Sequence, residues 1–471
     1  MMLKWEYRHT VAAIYAVVLF LDRLDLTIVN IALPAIATYF HVAITDTEWI
    51  NNAFLLALTL SIPISGWAGD RFGDKRIFVT AISLFGLSSL LCAMAPNLLF
   101  MIVMRFLQGL AGGLIIPVGM GMVFRAFEPS EYVSISSYIF IPTLIAPAIA
   151  PAIGGLMIYY FNWTWVFLFA VPICVAATAL SLVFLNEKKI IEPPPLDWIG
   201  FILSALTLTF VLYALSSIGN HGLSFLSLGT LVSAGLLGYA FLRHERQSSA
   251  PLIDIKFFQD RLFLQANLIQ LAFQVCHFGS IFLVGVYLQI GAGMSALMAG
   301  MIMGMQALGA ICTSRLSVKL FNQYNARLPM IIGFSGIAFF SMAILWIDAS
   351  SPLALGLGLL FVRGLFSGLC GAPLQAISIL GFHKDDVSRA SSVFNIGRQL
   401  SISLGIALSS LLLGFGFRIY GIDLVHPQTL NNKVAFLAAF LLIPVMAFLG
   451  ILVIKTLDDD NISALRHRPN L

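Results

Sequence analysis

The chain has 471 residues, of which 59% are apolar and only 10% are charged, far below the roughly 25% charged residues of soluble domains. This composition excludes an ordinary soluble protein and points to an integral membrane protein. The formal net charge of +4 needs no nucleic-acid partner, because basic residues biased toward one membrane face account for it.

Apolar windows of about 20 residues, the length that crosses a bilayer, recur at 11–33, 47–68, 77–95, 98–124, 132–158, 165–185, 197–217, 224–242, 262–290, 294–320, 328–347, 352–380, 389–416 and 433–455. These are helices 1 to 14. The first window is too long for a signal-peptide core and lacks a small-residue cleavage site, so it is expected to remain as helix 1. If both termini are cytoplasmic, the inward segments hold Lys4, Arg8, Arg71, Lys75, Arg76 and the other loop cations through Arg468, while the outward ones hold only Arg418 and Lys433. A missed or invented helix would invert this alternation from that point onward. The five cysteines, Cys92, Cys174, Cys276, Cys312 and Cys370, all fall in apolar windows without Cys-x-x-Cys spacing, and read as small packing residues. No His/Cys metal cluster, phosphate loop or nucleophile elbow occurs. No enzyme activity, metal or cofactor is therefore expected, and any energy for pumping would come from an ion gradient or a partner.

Helix 1 contains Asp22, Arg23 and Asp25. A charge at the bilayer centre costs about 2.5–3.5 kcal/mol on the insertion scale, so such residues usually face a polar interior. Of the 22 acidic residues, only Asp22 and Asp25 fall well inside a span; if the chain couples transport to proton entry, these two are the leading carriers, with His277 as the only plausible deep imidazole. Asp25 lies about 8 residues, ~12 Å, from the outer end of helix 1, and Arg105 about 7 residues, ~10 Å, from that of helix 4. The two share a depth. They form either a structural ion pair or one in which the arginine sets the carboxylate's proton affinity and protonation releases the pair.

Between helices 2 and 3, Gly66-Trp67-Ala68-Gly69-Asp70-Arg71-Phe72-Gly73-Asp74-Lys75-Arg76 resembles the signature of the major facilitator superfamily. Gly66, Asp70, Arg71, Gly73 and Lys75 match; Ala68 replaces a leucine and Asp74 a basic residue. In that family the loop is a cytoplasmic latch holding the outward-open state. Arg105-Phe106-Leu107-Gln108-Gly109 resembles the Arg-x-x-Gln-Gly element associated there with proton transfer. In helix 5, the run from Ala146 to Gly155 is similar to the antiporter signature Gly-Pro-x-x-Gly-Gly, with Ala150 where glycine is usual. It implies a hinge or seal at Pro147, Pro151, Gly154 and Gly155, the alternative being close packing alone. Leu24-Asp25-Leu26-Thr27-Ile28-Val29-Asn30-Ile31-Ala32-Leu33-Pro34 resembles the helix 1 signature of the fourteen-helix drug:proton antiporter branch. Asn162 to Phe167, Asp197 to Gly200 and Pro251 to Asp254 also fit that branch, with Thr164 in place of an arginine.

The resemblance implies an all-α integral membrane protein with the major facilitator fold, two six-helix bundles plus two inserted helices. The bundles are assigned to 1–186 and 262–471, and the linker with two additional spans to 187–261. Arg363 in helix 12, fourth of the last six, echoes Arg105 in helix 4, consistent with repeats around a midplane site. In helix 9, Asn267, Gln270, Gln274 and His277 share one helical face. Helix 13 carries Asn395, Arg398 and Gln399, similar to the branch's Asn-x-x-Arg-Gln element; Arg398 either bonds a neighbouring helix or contacts an anion or dipole. The expected substrate cavity is Arg23, Asn30, Gln270, Gln274, His277, Arg363, Asn395 and Arg398, beside the coupling group Asp25, Asp22 and Arg105. The expected function is proton-coupled efflux of an amphipathic small molecule or drug across a bacterial inner membrane, with a periplasmic adaptor as a candidate partner. Export of a polar or anionic metabolite such as a siderophore is the alternative within transport; a receptor or scaffold on the same fold is the alternative outside it.

Overall fold

Hydrocarbon offers no partner for a backbone N–H or C=O, so a chain this apolar must satisfy them within helices. The structure, a computed structural model, describes residues 2–42, 44–187, 196–221, 224–248, 251, 255–294, 296–348, 350–383, 386–419 and 432–466. Helix 1 runs Met2–Phe40, helix 2 Ile44–Phe72, helix 3 Asp74–Ala93, helix 4 Leu98–Ala126, helix 5 Tyr132–Tyr160, helix 6 Trp165–Phe184 and helix 7 Trp198–His221. Helix 8 follows at Phe225–Gln247, helix 9 at Arg261–Gly291, helix 10 at Ala296–Tyr324, helix 11 at Arg327–Trp346, helix 12 at Leu353–Ile377, helix 13 at Val387–Ile419 and helix 14 at Val434–Lys455. Among the described residues, ten helices are long and apolar enough to cross a membrane. Helices 1, 5, 7 and 10 occupy the other expected spans and are 39, 29, 24 and 29 residues long.

Polar side chains set several helix starts. Asn97 accepts the Phe100 N–H at 2.8 Å ahead of helix 4, and Asp260 accepts that of Phe263 at 2.7 Å ahead of helix 9. Each satisfies one of the backbone donors left free at a helix N-terminus. Helices 1 to 6 pack on one another, as do helices 9 to 14, with helices 2 and 4 closely joined in the first half and helices 10 and 12 in the second. The halves meet where helix 13 crosses helices 2 and 4, and where helix 5 crosses helices 10 and 12. Helices 7 and 8 form a hairpin, and helix 7 lies along the seam between helices 2 and 13. Asp197 and His244 close the hairpin's open end, with His244 Nε2 2.8 Å from Asp197 Oδ2. Phe225, 95% exposed, and the many exposed apolar residues of helix 8 suit contact with lipid.

Both chain ends lie at the same end of the bundle, hereafter the basic end. Arg8 pairs with Glu131 at 2.9 Å, and Arg327 with Asp459 of the final short helix at 3.3 Å. The structure corrects one packing expectation: Cys92, Cys174, Cys276 and Cys370 are buried, but Cys312 is exposed on helix 10. It also shows helix 5 as one continuous helix through Pro147, Pro151, Gly154 and Gly155. The side chains of Pro147 and Pro151 lie outside the described residues.

The turn between helices 2 and 3 depends on Gly73, whose φ of +90° is a conformation that side chains rarely adopt, and where a Cβ would overlap the Glu187 carboxylate. Gly73→Ala is therefore expected to lower stability by about 1–3 kcal/mol, read as a fall in the unfolding midpoint in detergent. An unchanged midpoint would contradict this account of the turn.

Candidate functional site

Helices 1, 2 and 4 enclose a buried polar cluster whose members differ sharply in how they are satisfied. The Arg105 side chain is fully buried, and its Nη1 donates to Asp25 Oδ2 at 2.5 Å and to Gln108 Oε1 at 2.9 Å. Gln108 Nε2 donates to Asp25 Oδ1 at 3.2 Å, so both carboxylate oxygens are engaged. Arg105 Nε donates to Ile50 O at 3.4 Å, and the guanidinium lies 4.4 Å from the Phe54 ring centroid. Opposite charge, hydrogen bonds and an aromatic face together offset the cost of burying this ion. The depth match drawn from sequence is thus a direct contact.

Asp22, one helical turn before Asp25, is 1% exposed, yet neither carboxylate oxygen accepts a hydrogen bond among the described residues. Its nearest cation is Arg23, whose Nε is 3.5 Å from Asp22 Oδ2. Helix 4 makes room for this carboxylate at Gly112, where a Cβ would come within 2.8 Å of Asp22 Oδ1. One carboxylate is therefore locked in a bidentate network, while its neighbour is buried beside a single poorly aligned cation.

Next to this cluster is a cavity of about 540 Å³ between the halves. Arg23, Leu26 and Thr27 of helix 1 and Thr143 of helix 5 form one wall. Gln274, His277, Phe278, Met303, Gln306 and Arg398 are among the residues of the other. Helix 9 is wound as a π-helix at Val275–Gly279, a departure from α geometry that often marks functional sites. It carries His277 on the cavity wall.

The structure brings Arg23, Gln274, His277 and Arg398 together as expected, but not the rest of the proposed cavity set. Arg363 stands behind the wall, fully buried, bonded to Ser341 Oγ at 2.8 Å and also to Gln306 Oε1, Ser280 Oγ and the Cys276 carbonyl. Asn395 is buried and donates to Ser391 O in its own helix at 2.8 Å. Gln270 is 2% exposed behind Gln274, and Asn267 donates to Phe263 O. The Asn30 side chain lies outside the described residues. Sequence reading overlooked Gln306, Thr27 and Thr143 as wall residues; a lone glutamine in the apolar run of helix 10 was the available signal for the first.

The last turns of helix 2, expected from the sequence to be a loop, join the two halves. Asp70 accepts from Arg389 Nε of helix 13 at 2.7 Å, a partner that the sequence pattern did not name. Three further contacts cross the interface in the same basic half of the bundle: Ser65 with Ser392 at 2.8 Å, Ser137 with Ser314 O at 3.1 Å, and Gln375 with Met120 Sδ at 2.6 Å. Gly66 approaches Arg389 closely. Lys75 donates to Leu182 O at 2.8 Å, while Arg71 is exposed. Asp74, standing where the signature has a basic residue, is buried and paired with Arg125 at the end of helix 4. Its ion pair therefore lies within the first half, leaving the crossing to Asp70.

Paired helical bundles around a central cavity, closed at one end by an ion pair and side-chain hydrogen bonds, suit a secondary transporter. The chain matches the profile of the Major Facilitator Superfamily over residues 15–406 and belongs to that family. It is a multi-pass membrane transporter and not an enzyme. It is 29% identical over 401 residues to the "Putative multidrug resistance protein MdtD" of Citrobacter koseri, covering 84% of each chain. It is also 29% identical over 417 residues to the protein of the same name in Escherichia coli, covering 87% of each. Among solved structures, its fold is similar to the human organic anion transporter MFSD10, with a TM-score of 0.65 at 14% identity over 94% of this chain and 99% of that one. It is likewise similar to the proton:xylose symporter XylE, with a TM-score of 0.66 at 10% identity over 98% and 99%.

Removing one partner of a buried ion pair typically costs about 3–5 kcal/mol. Arg105→Ala is expected to destabilise the protein by that order, while adding Asp25→Asn to it restores part of the loss. Unfolding of the two single variants and the double variant in detergent measures the coupling, and strictly additive losses would contradict the pair.

Proposed function

We propose that this chain is a proton-coupled antiporter of the bacterial inner membrane, with both termini cytoplasmic, that exports an amphipathic small molecule by alternating access. The observation that carries this reading is the adjacency of two buried carboxylates to a cavity walled by both halves. The names of the curated relatives support an efflux role, and the inward bias of loop cations supports the orientation. In this reading the basic end is cytoplasmic, and its closure by Asp70–Arg389 and the serine contacts makes the described state outward-facing.

A proton arriving from outside is taken up by the Asp25–Asp22 pair, of which Asp22 has oxygens free of hydrogen-bond donors among the described residues. Transfer to Asp25 then weakens its bond to Arg105, loosening helix 1 from helix 4 beside the cavity. Differential affinity of proton and substrate for the two states drives the exchange. Residual pH-gradient-driven export in inverted vesicles should be under a tenth of wild type, on the order expected when a proton-transfer group is lost, in Asp25→Asn and reduced in Asp22→Asn. Full activity in both variants would contradict the assignment.

The Asp70–Arg389 bridge is partly exposed, with Arg389 43% exposed, so it contributes only about 0.2–1 kcal/mol. Against a two-state equilibrium, that still changes the population ratio by up to about fivefold. Arg389→Ala should therefore shift the ensemble toward the inward-facing state, seen as longer spin-label distances between the basic ends of helices 2 and 13. An unchanged distance distribution would rule out a latch at this pair.

A further inference from the structure

The family and its relatives leave the substrate's charge open, whereas the cavity wall does not. Of the four arginines within spans, Arg105 is neutralised by Asp25, and Arg363 is enclosed by neutral oxygens behind the wall. Only Arg23 and Arg398 reach the cavity. No Asp or Glu lines it among the described residues, because Asp22 and Asp25 are 1% and 3% exposed and lie beneath the surface. Arg398 has no hydrogen-bond or ion-pair partner among the described residues, and Arg23 has only the 3.5 Å contact to Asp22.

We infer that the exported molecule carries an anionic group, a carboxylate or an equivalent oxyanion on an apolar body, held between Arg23 and Arg398. This rests on the exporter reading and gives its site a substrate class. The two arginines come from opposite halves, helix 1 and helix 13, so an anion between them relieves their mutual repulsion and ties the halves together. Guanidinium forks suit oxyanions through paired N–H donors. The remaining wall, including Phe278 and Met303, is apolar, and a volume of about 540 Å³ lies within the roughly 300–1,000 Å³ of small-molecule sites. Against a lipophilic cation, the same wall presents two guanidinium groups, while the nearest carboxylate, Asp22, lies buried behind Arg23.

Two probes with one ring system, 2-naphthylacetate and 2-(2-naphthyl)ethylammonium, separate the possibilities in equilibrium dialysis against the purified full-length protein at fixed pH and ionic strength. The carboxylate is expected to bind and the ammonium to bind at least about tenfold more weakly; Arg398→Gln and Arg23→Gln should each weaken carboxylate binding by about tenfold to a hundredfold. Arg398→Lys, which keeps the charge but not the fork, should retain part of the affinity. Monodisperse elution of each variant shows that it is folded. Absent carboxylate binding, equal or tighter ammonium binding by the wild type, or unchanged carboxylate affinity in both Gln variants would overturn the inference. Flux in inverted vesicles distinguishes it from the exporter reading. Gradient-driven export of the ammonium but not the carboxylate overturns the anion site alone, whereas carboxylate binding without any gradient-driven flux supports the site and counts against export.

Discussion

A guanidinium sealed among helices 1, 2 and 4 must be given a counter-charge and hydrogen bonds, and the packing of the first half follows from that requirement. Asp25 and Gln108 supply them, each bonding the other as well as Arg105. The network fixes the rotation of helix 1 against helix 4. That rotation in turn places Asp22 in the space left by Gly112 and turns Arg23 toward the cavity. A change of charge on Asp25 would therefore act on helix orientation as well as on local bonding.

The second half meets the same requirement differently. Arg363 is also fully buried, but its partners are hydroxyl, amide and carbonyl oxygens. With no titrating group among them, this cluster holds helices 9, 10, 11 and 12 together without a proton-dependent step. The two halves also differ in register. Gly109 packs against the backbone of Phe54 and Gly364 against that of Gln306, where helix 4 meets helix 2 and helix 12 meets helix 10. Arg105 lies four residues before Gly109, whereas Arg363 directly precedes Gly364. The echo between the arginines is one of composition more than of position, and among the described residues the carboxylate-paired arginine is the one in the first half.

Hydropathy and loop charge made the spans legible, because the bilayer fixes helix length and the cost of charge independently of tertiary detail. Depth along a helix was legible too, which is why Asp25 and Arg105 could be matched. Rotation about a helix axis was not. On helix 9 the π-helical segment at Val275–Gly279 begins only after Asn267, Gln270 and Gln274, so it shifts the phase of His277 alone among the four. Gln274 and His277 reach the cavity, while Asn267 and Gln270 are spent on packing. Arg363 and Asn395 turn away from the cavity for a related reason, since a polar residue in a span is satisfied equally well by a neighbouring helix. Arg389 escaped notice because it sits at the start of helix 13, 319 positions from Asp70, with no local pattern linking them.

In the proposed mechanism, ligand in the cavity and protons on the helix 1 carboxylates are thermodynamically linked. Calorimetry of ligand binding in two buffers of different ionisation enthalpy counts the protons exchanged directly. A net exchange of protons on binding to the wild-type protein at mildly acidic pH is predicted, lost when Asp22 and Asp25 are both replaced by Asn. Identical heats in the two buffers across the pH range, or an unchanged proton count in the double variant, would contradict it.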